Sequence, residues 1–126
     1  MGHLNTRNYV AMFDDASFVV LARLGYLFRE APFTQLGWAD VRNEIDYLAE
    51  VPLGTIVEIY SGIAKLGTKS ITVVSEMRSA ETTLVHARMK AVLVYFDRQA
   101  KKSVPLTEEI RRAAAALLLD PVDGAA

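Results

Sequence analysis

The first residues of the chain concentrate the groups that could do chemistry. Residues 2–6, with the sequence GHLNT, form a short polar turn that runs into an apolar segment beginning at Tyr9. An imidazole such as His3 can act as a general base near neutral pH, and the amide of Asn5 can bind a carbonyl oxygen or a water. The free N–H groups at a helix start favour negative charge on an oxygen. If Thr6 begins a helix, this turn is suited to chemistry on a carbonyl group.

The apolar segment predicts a helix of about 19 residues, reaching roughly 28 Å. Thr6 or Asn5 is expected to cap its start with a side-chain oxygen, and Gly25 to end it as a residue that tolerates positive φ. Its apolar character on nearly all sides predicts a central helix wrapped by other structure. It is too polar for a membrane span, because it contains Asp14, Asp15, Ser17 and Arg23.

From Trp38 onward apolar residues recur at every second position, which predicts strands. Four long strands are expected at 38–50, 55–66, 70–77 and 83–96. A polar loop should cover 97–103, and Thr107 should cap a final short helix. Short connections favour an antiparallel meander. Because such strands are longer than the helix, the predicted fold is α+β, a curved antiparallel sheet around one helix.

Composition limits the class of protein. The 126 residues fit a single domain over 1–126, and Lys and Arg (14) balance Asp and Glu (15), so nucleic acid is not expected as a partner. Without cysteine there is no disulfide or thiolate chemistry. The two histidines lack metal-ligand spacing, and no targeting signal opens the chain. A cytoplasmic protein without a bound metal is expected.

The residues Gly2 to Ala16, with the pattern GHxNxxxYxxxFDDA, resemble the helix-entry motif of hotdog-fold acyl-CoA thioesterases of the 4-hydroxybenzoyl-CoA thioesterase-like group. Four later segments agree in order, so the resemblance covers about residues 2–112. They are residues 45–50 (IDYLAE), 66–70 (LGTKS), 94–97 (VYFD) and 104–110 (VPLTEEI). The resemblance implies a hotdog fold and hydrolysis of an acyl-CoA or acyl-carrier thioester.

Family members begin with a strand before this turn, and many place a catalytic aspartate three positions before its glycine. That position would precede Met1, so either a strand lies upstream of this sequence or another acid serves. The resemblance to plant acyl-carrier thioesterases offers His3 paired with Glu50. A related hotdog branch carries its carboxylate on the helix, which makes Asp15 a candidate.

Each assignment has a plainer alternative. The resemblance implies that the N–H of Thr6 holds an oxyanion, but any helix start looks the same. His3, Asn5 and Glu50 could instead be a turn residue, a helix cap and a solvated charge. The segment Gly67-Thr68-Lys69-Ser70 resembles one that lies along the pantetheine arm of coenzyme A, or is an ordinary hairpin turn.

The resemblance also implies a homodimer or homotetramer with sites between subunits, and no cofactor besides the coenzyme A of the substrate. The chief alternative is a non-catalytic hotdog protein that binds acyl-CoA or a protein partner. A hotdog dehydratase is a weaker alternative, because its motif has no match here.

Overall fold

A computed structural model of the chain describes residues 4–26 and 35–119. These residues form the predicted two α-helices and four long strands, in the predicted order, and a short fifth strand. Their bounds are α1 Thr6–Arg23, β1 Leu36–Tyr47, β2 Val57–Leu66, β3 Ser70–Ser79, β4 Val85–Asp97, β5 Lys102–Ser103 and α2 Glu108–Ala115. The α+β prediction is confirmed. The short β5, which pairs with the end of β4, lies in the segment predicted as a loop.

The strand order is β1-β4-β3-β2, with every neighbouring pair antiparallel. The predicted meander is therefore correct for β2, β3 and β4 but wrong for β1, which pairs with β4. Since adjacent strands lie about 4.8 Å apart, the link between β1 and β2 must cross roughly 14 Å to the opposite edge. Residues 48–56 are long enough to do so.

The helix α1 packs across one face of this sheet and joins two buried clusters. Near its start, Tyr9 and Phe13 pack with Met77 and Met89 of the sheet. Near its end, Val20, Leu21 and Leu24 pack in a second cluster, whose sheet residues are Ile63, Ile71, Val73 and Leu93. The chain direction of α1 therefore opposes that of β3.

The predicted arrangement of a sheet around one central helix is confirmed, but within the described residues of one chain the sheet encloses only part of the helix surface. The sheet covers one side of the helix, and on the other Phe18 is 48% and Val19 60% exposed. A single curved sheet can bury only the stripe that faces it. The apolar residues on the far side are then left for another surface to cover.

The two ends of α1 behave differently from each other. Asn5 is the N-cap residue, but its side chain accepts no capping hydrogen bond, so the expected side-chain cap is absent. At the other end Gly25 has φ +93°, its N–H donates to Ala22, and the N–H of Tyr26 donates to Leu21. This is a Schellman ending and confirms the prediction for Gly25.

The free edge of β2 is partly covered by the chain that follows α2. The N–H of Ile63 donates to the Leu117 carbonyl at 2.9 Å, and the N–H of Leu119 donates to the Ile63 carbonyl at 2.8 Å. This contact is a parallel bridge between Ile63 and Leu118. Leu119 then lies over Gly62, where an added Cβ would be 2.5 Å from its Cδ2.

We predict that Gly62→Ala destabilises the fold by about 1 kcal/mol, because its methyl group displaces Leu119 from β2. In a Leu119→Ala background the same change should be neutral or stabilising, since alanine suits a strand better than glycine. Denaturant unfolding of the four proteins gives the coupling energy. A coupling near zero would show that Leu119 does not depend on the open space at Gly62.

Candidate active site

The start of α1 presents backbone donors that the chain does not use. The N–H of Asn8 bonds to the Asn5 carbonyl at 2.9 Å, and the Asn5 side chain caps nothing. Within the described part of the chain, the N–H groups of Thr6 and Arg7 have no acceptor. Both side chains are exposed, so this helix start is open to a ligand. Unpaired amides and the positive end of a helix dipole both favour a negatively charged oxygen, so this helix start is a candidate oxyanion site.

The loop 48–51 holds this helix start against the sheet. The N–H of Leu4 donates to the Val51 carbonyl at 3.0 Å, and Val51 is buried in the same cluster as Tyr9 and Phe13. Glu50 is exposed and directly precedes Val51. The structure therefore brings Glu50 to the region where Asn5 and Thr6 begin the helix. His3, predicted as the partner of Glu50, lies outside the described residues.

A second acidic group lies further along the helix, facing β1. A register irregularity between Asp40 and Arg42 separates two stretches of regular pairing in β1. Asn43 donates to Asp40 across this bulge at 3.3 Å. Asp14 is half-buried, and its pKa is raised from the usual 3.8, mainly by burial and then by the negative charges of Asp40 and Asp15.

Asp14 is thus the partly buried carboxylate of the pair, whereas Asp15, the residue predicted from sequence, is exposed to solvent. Asp14 is eight residues after Thr6, which places it about 12 Å further along the helix axis. One thioester cannot contact the N–H of Thr6 and the carboxylate of Asp14 in the same chain.

The turn formed by Gly67, Thr68, Lys69 and Ser70 lies at the other end of the molecule. Arg111 donates to the Gly67 carbonyl at 2.8 Å, Leu106 to that of Thr68 at 2.9 Å, and Tyr95 to that of Lys69 at 2.8 Å. Its carbonyls are therefore used within the chain. This turn joins β2 to β3 near the end of α1, about 27 Å from the helix start along an 18-residue helix.

A cavity of about 600 Å³ opens at the same end as this turn. Its walls include Leu24, Trp38, Tyr95 and Ile110, and the rings of Trp38 and Tyr95 are 5.0 Å apart. Asp97 and Glu109 also line it. The cavity is large enough for a small molecule and has both polar and apolar walls, but it is distant from Thr6 and Glu50 of the same chain.

Two further negative findings concern the part of the chain that the structure describes. No group of three or more His, Cys, Asp or Glu side chains is placed to hold a metal ion there. None of the helices described is both long and apolar enough to cross a membrane.

Two features of this region were not predicted from the sequence. One is the bulge in β1 between Asp40 and Arg42, and the other is that Asp14, not Asp15, is the partly buried carboxylate. The pair Asp14-Asp15 was visible as a candidate, but which carboxylate is partly buried depends on how the helix is rotated. The bulge has no sequence signal such as glycine, so an uninterrupted alternation was expected from Val41 to Tyr47.

Comparison with known proteins identifies the family. Residues 1–114 match the model of the thioesterase-like superfamily, so the chain belongs to that family, and its class of activity is thioester hydrolysis. The resemblance to hotdog thioesterases is thereby confirmed. No curated protein matches the sequence.

Solved structures agree on the fold. The PA5185 protein from Pseudomonas aeruginosa is 26% identical, with a TM-score of 0.81, over 93% of this chain and 80% of that chain. A thioesterase from Thermus thermophilus complexed with coenzyme A and zinc is 24% identical, with a TM-score of 0.80, over 96% of this chain and 85% of that chain. A 1,4-dihydroxy-2-naphthoyl-CoA thioesterase from Synechocystis is 19% identical, with a TM-score of 0.80, over 92% of this chain and 85% of that chain.

The raised pKa of Asp14 predicts a pH-dependent effect of Asp14→Asn on stability. An acid whose pKa is higher in the folded state stabilises the fold at low pH and loses that contribution as pH rises through the folded pKa. The variant should therefore be more stable than wild type at pH 7, and the difference should vanish below the usual pKa of 3.8. Denaturant unfolding at both pH values measures this difference.

Asp15→Asn serves as the control, because it removes only the smallest of the three causes and should give a smaller gain at pH 7. If Asp14→Asn instead destabilised the fold equally at both pH values, ionisation of this carboxylate would not reduce the stability of the wild-type protein.

Proposed function

We propose that this protein is an acyl-CoA thioesterase, hydrolysing an acyl-CoA or acyl-carrier thioester to a free acid and a thiol. The observation that carries the proposal is the open start of α1, where the amides of Thr6 and Arg7 have no acceptor among the described residues. Family membership supplies the class of chemistry, and this helix start supplies a place where a thioester oxygen would be stabilised.

In this mechanism the thioester oxygen accepts hydrogen bonds from the N–H groups of Thr6 and Arg7. Charge develops on that oxygen as water attacks the carbonyl carbon, and pre-oriented amides stabilise it without reorganising. The side chain of Asn5, which is not used as a cap, is free to bind the attacking water or the thioester. No metal or redox cofactor is needed for this reaction, and coenzyme A enters only as part of the substrate.

We assign activation of the water to Glu50, acting with His3. Glu50 is exposed and is held beside the helix start through Val51, which is what supports this role. The alternative base is Asp14 of a second copy of the chain, because Asp14 of the same chain is too far from the Thr6 amide, and its raised pKa suits a carboxylate that exchanges a proton. Asp15 points to solvent and ranks below both.

The site is proposed to form between two copies of the chain, as a homodimer or a tetramer of two dimers. The turn 67–70 and the cavity lie at the opposite end of the protomer from Thr6 and Glu50. A two-fold arrangement with antiparallel helices would bring the turn of one copy near the helix start of the other. The exposed Phe18 and Val19 supply apolar surface for such an interface.

The direct test is release of free coenzyme A from short, medium, long and aromatic acyl-CoAs, followed with a thiol-reactive dye. The protein has no cysteine and gives no background with the dye. Turnover of any member supports the proposal and ranks the substrates. An intact oligomer that binds acyl-CoA without turnover would contradict it and indicate a binding protein.

Thr6→Pro tests the oxyanion role without disturbing the helix. Proline is tolerated at the first helical position, and Asn5, with φ −78° and ψ 151°, already has the extended conformation that precedes proline. The variant removes one N–H, so we expect kcat to fall by about 100-fold or more.

Thr6→Ala is the matched control, since it loses the side chain but retains the N–H, and it should keep most of the activity. Equal activity of the proline and alanine variants, with unchanged helix content, would rule out the Thr6 amide as an oxyanion donor.

Glu50→Gln should lower kcat by about 100-fold, because the amide cannot accept a proton from water. Glu44→Gln is the control, as Glu44 is an exposed glutamate of β1 that pairs with Arg42. Steady-state hydrolysis of the preferred acyl-CoA measures both. If both variants had wild-type kcat, Glu50 would not be the base, and Asp14→Asn would be examined next.

A further inference from the structure

His86 is a buried histidine that the proposed mechanism does not use. It is 2% exposed and lies in β4 at an irregularity in the pairing with β3. Met77 pairs with Ala87 and Arg78 with Val85, so His86 between them has no partner on β3. Its hydrogen bonds go instead to the loop that follows β1.

Three hydrogen bonds join His86 to that loop. Its carbonyl accepts from the N–H of Leu48 at 2.8 Å and from the N–H of Ala49 at 3.1 Å. Its side-chain Nδ1 lies 3.2 Å from the Ala49 carbonyl, which can only accept, so Nδ1 is the donor. The backbone N–H and the backbone carbonyl of Ala49 are thus both hydrogen-bonded to His86.

The other ring nitrogen of His86 shows that the imidazole is not there for packing. Nε2 is buried and has no partner among the described residues. An unpaired buried nitrogen opposes folding, and an apolar side chain would avoid that cost. The interaction that an apolar side chain cannot replace is the one from Nδ1 to the Ala49 carbonyl.

We propose that His86 is a positioning residue for thioester hydrolysis, acting through the loop 48–51. By fixing Ala49 it sets the place of Glu50 and of Val51, whose carbonyl holds the N–H of Leu4 at the start of α1. The general base and the oxyanion amides are thereby held in one arrangement. This inference rests on the proposed function, because it assigns His86 a role in that same site.

The test compares two amide side chains at position 86. Asn places a side-chain N–H where Nδ1 stands, whereas Gln places its N–H near the position of Nε2. His86→Asn should keep kcat within about threefold of wild type, and His86→Gln should lower it by about tenfold to 100-fold with little change in KM. Equal kcat for the two variants, or a loss confined to KM, would overturn the proposal.

Leu93→Ala is the control for general destabilisation, since Leu93 is a buried residue of the same strand that packs in the second cluster, near the end of α1 and away from the loop 48–51. It should lower the melting temperature yet leave kcat unchanged when assayed well below that temperature. A kcat loss in Leu93→Ala equal to that in His86→Gln would mean that position 86 acts only through stability.

Amide hydrogen exchange gives a readout that does not depend on activity. The N–H of Leu4 should exchange faster in His86→Gln than in wild type or His86→Asn, because its acceptor on Val51 is no longer fixed. If wild type proved inactive on every acyl-CoA, the proposed function would fail, and this exchange would still decide the link from His86 to the helix start. Unchanged exchange in His86→Gln would refute that link.

Discussion

The hydrogen bond from the N–H of Leu4 to the carbonyl of Val51 connects the start of α1 to the crossing loop between β1 and β2. Val51 is itself buried against the first turns of the helix, and Leu4 packs against the same buried cluster. Because β1 and β2 lie at opposite edges of the sheet, the loop has to cross between them, and on this path it contacts the helix start.

This connection explains why the helix start can be left without a cap. A helix whose first turn is fixed by tertiary contacts does not need a side chain to define its beginning, and Asn5 accordingly caps nothing. In α2, by contrast, the side chain of Thr107 does accept a hydrogen bond from the N–H of Ile110, at 3.1 Å. The amides of Thr6 and Arg7 remain available to a ligand because other interactions hold α1 in place.

The proposed site also depends on the distance between the two ends of the protomer. The oxyanion amides and Glu50 lie at one end of α1, and the turn 67–70 and the cavity lie at the other. An extended acyl-CoA substrate needs groups from both ends, which a second copy of the chain can supply. The apolar side of α1 that the sheet leaves open is consistent with that arrangement.

Much of the fold could be predicted from the sequence, because it depends on local signals. The spacing of apolar residues predicted the helices and the long strands. Gly25 predicted the end of α1, and Thr107 predicted the cap of α2. The pairing of β1 with β4 could not be predicted, since periodicity does not say which strand lies beside which. For the same reason the bulge beside Asp40 was missed.

The site could be predicted only in part. The segments around Thr6 and Glu50 were predicted as candidates, and the structure joins them through the hydrogen bond from Leu4 to Val51, while their catalytic roles stay predictions. The role of His86 in holding the loop was not visible, because a histidine within a strand looks like any other buried residue in a sequence. That role arises from an irregular register, which is a property of the pairing and not of one segment.

The most direct measurement of the oxyanion site is the NMR titration of amide-labelled protein with a coenzyme A ketone analogue, in which a CH₂ group replaces the thioester sulfur. Its carbonyl oxygen would occupy the place of the thioester oxygen but could not be hydrolysed. The expected result is a downfield shift of the Thr6 and Arg7 amide protons, larger than that of any other amide in α1. Saturable binding with no shift at Thr6 or Arg7 would contradict the assignment of the helix start as the catalytic site.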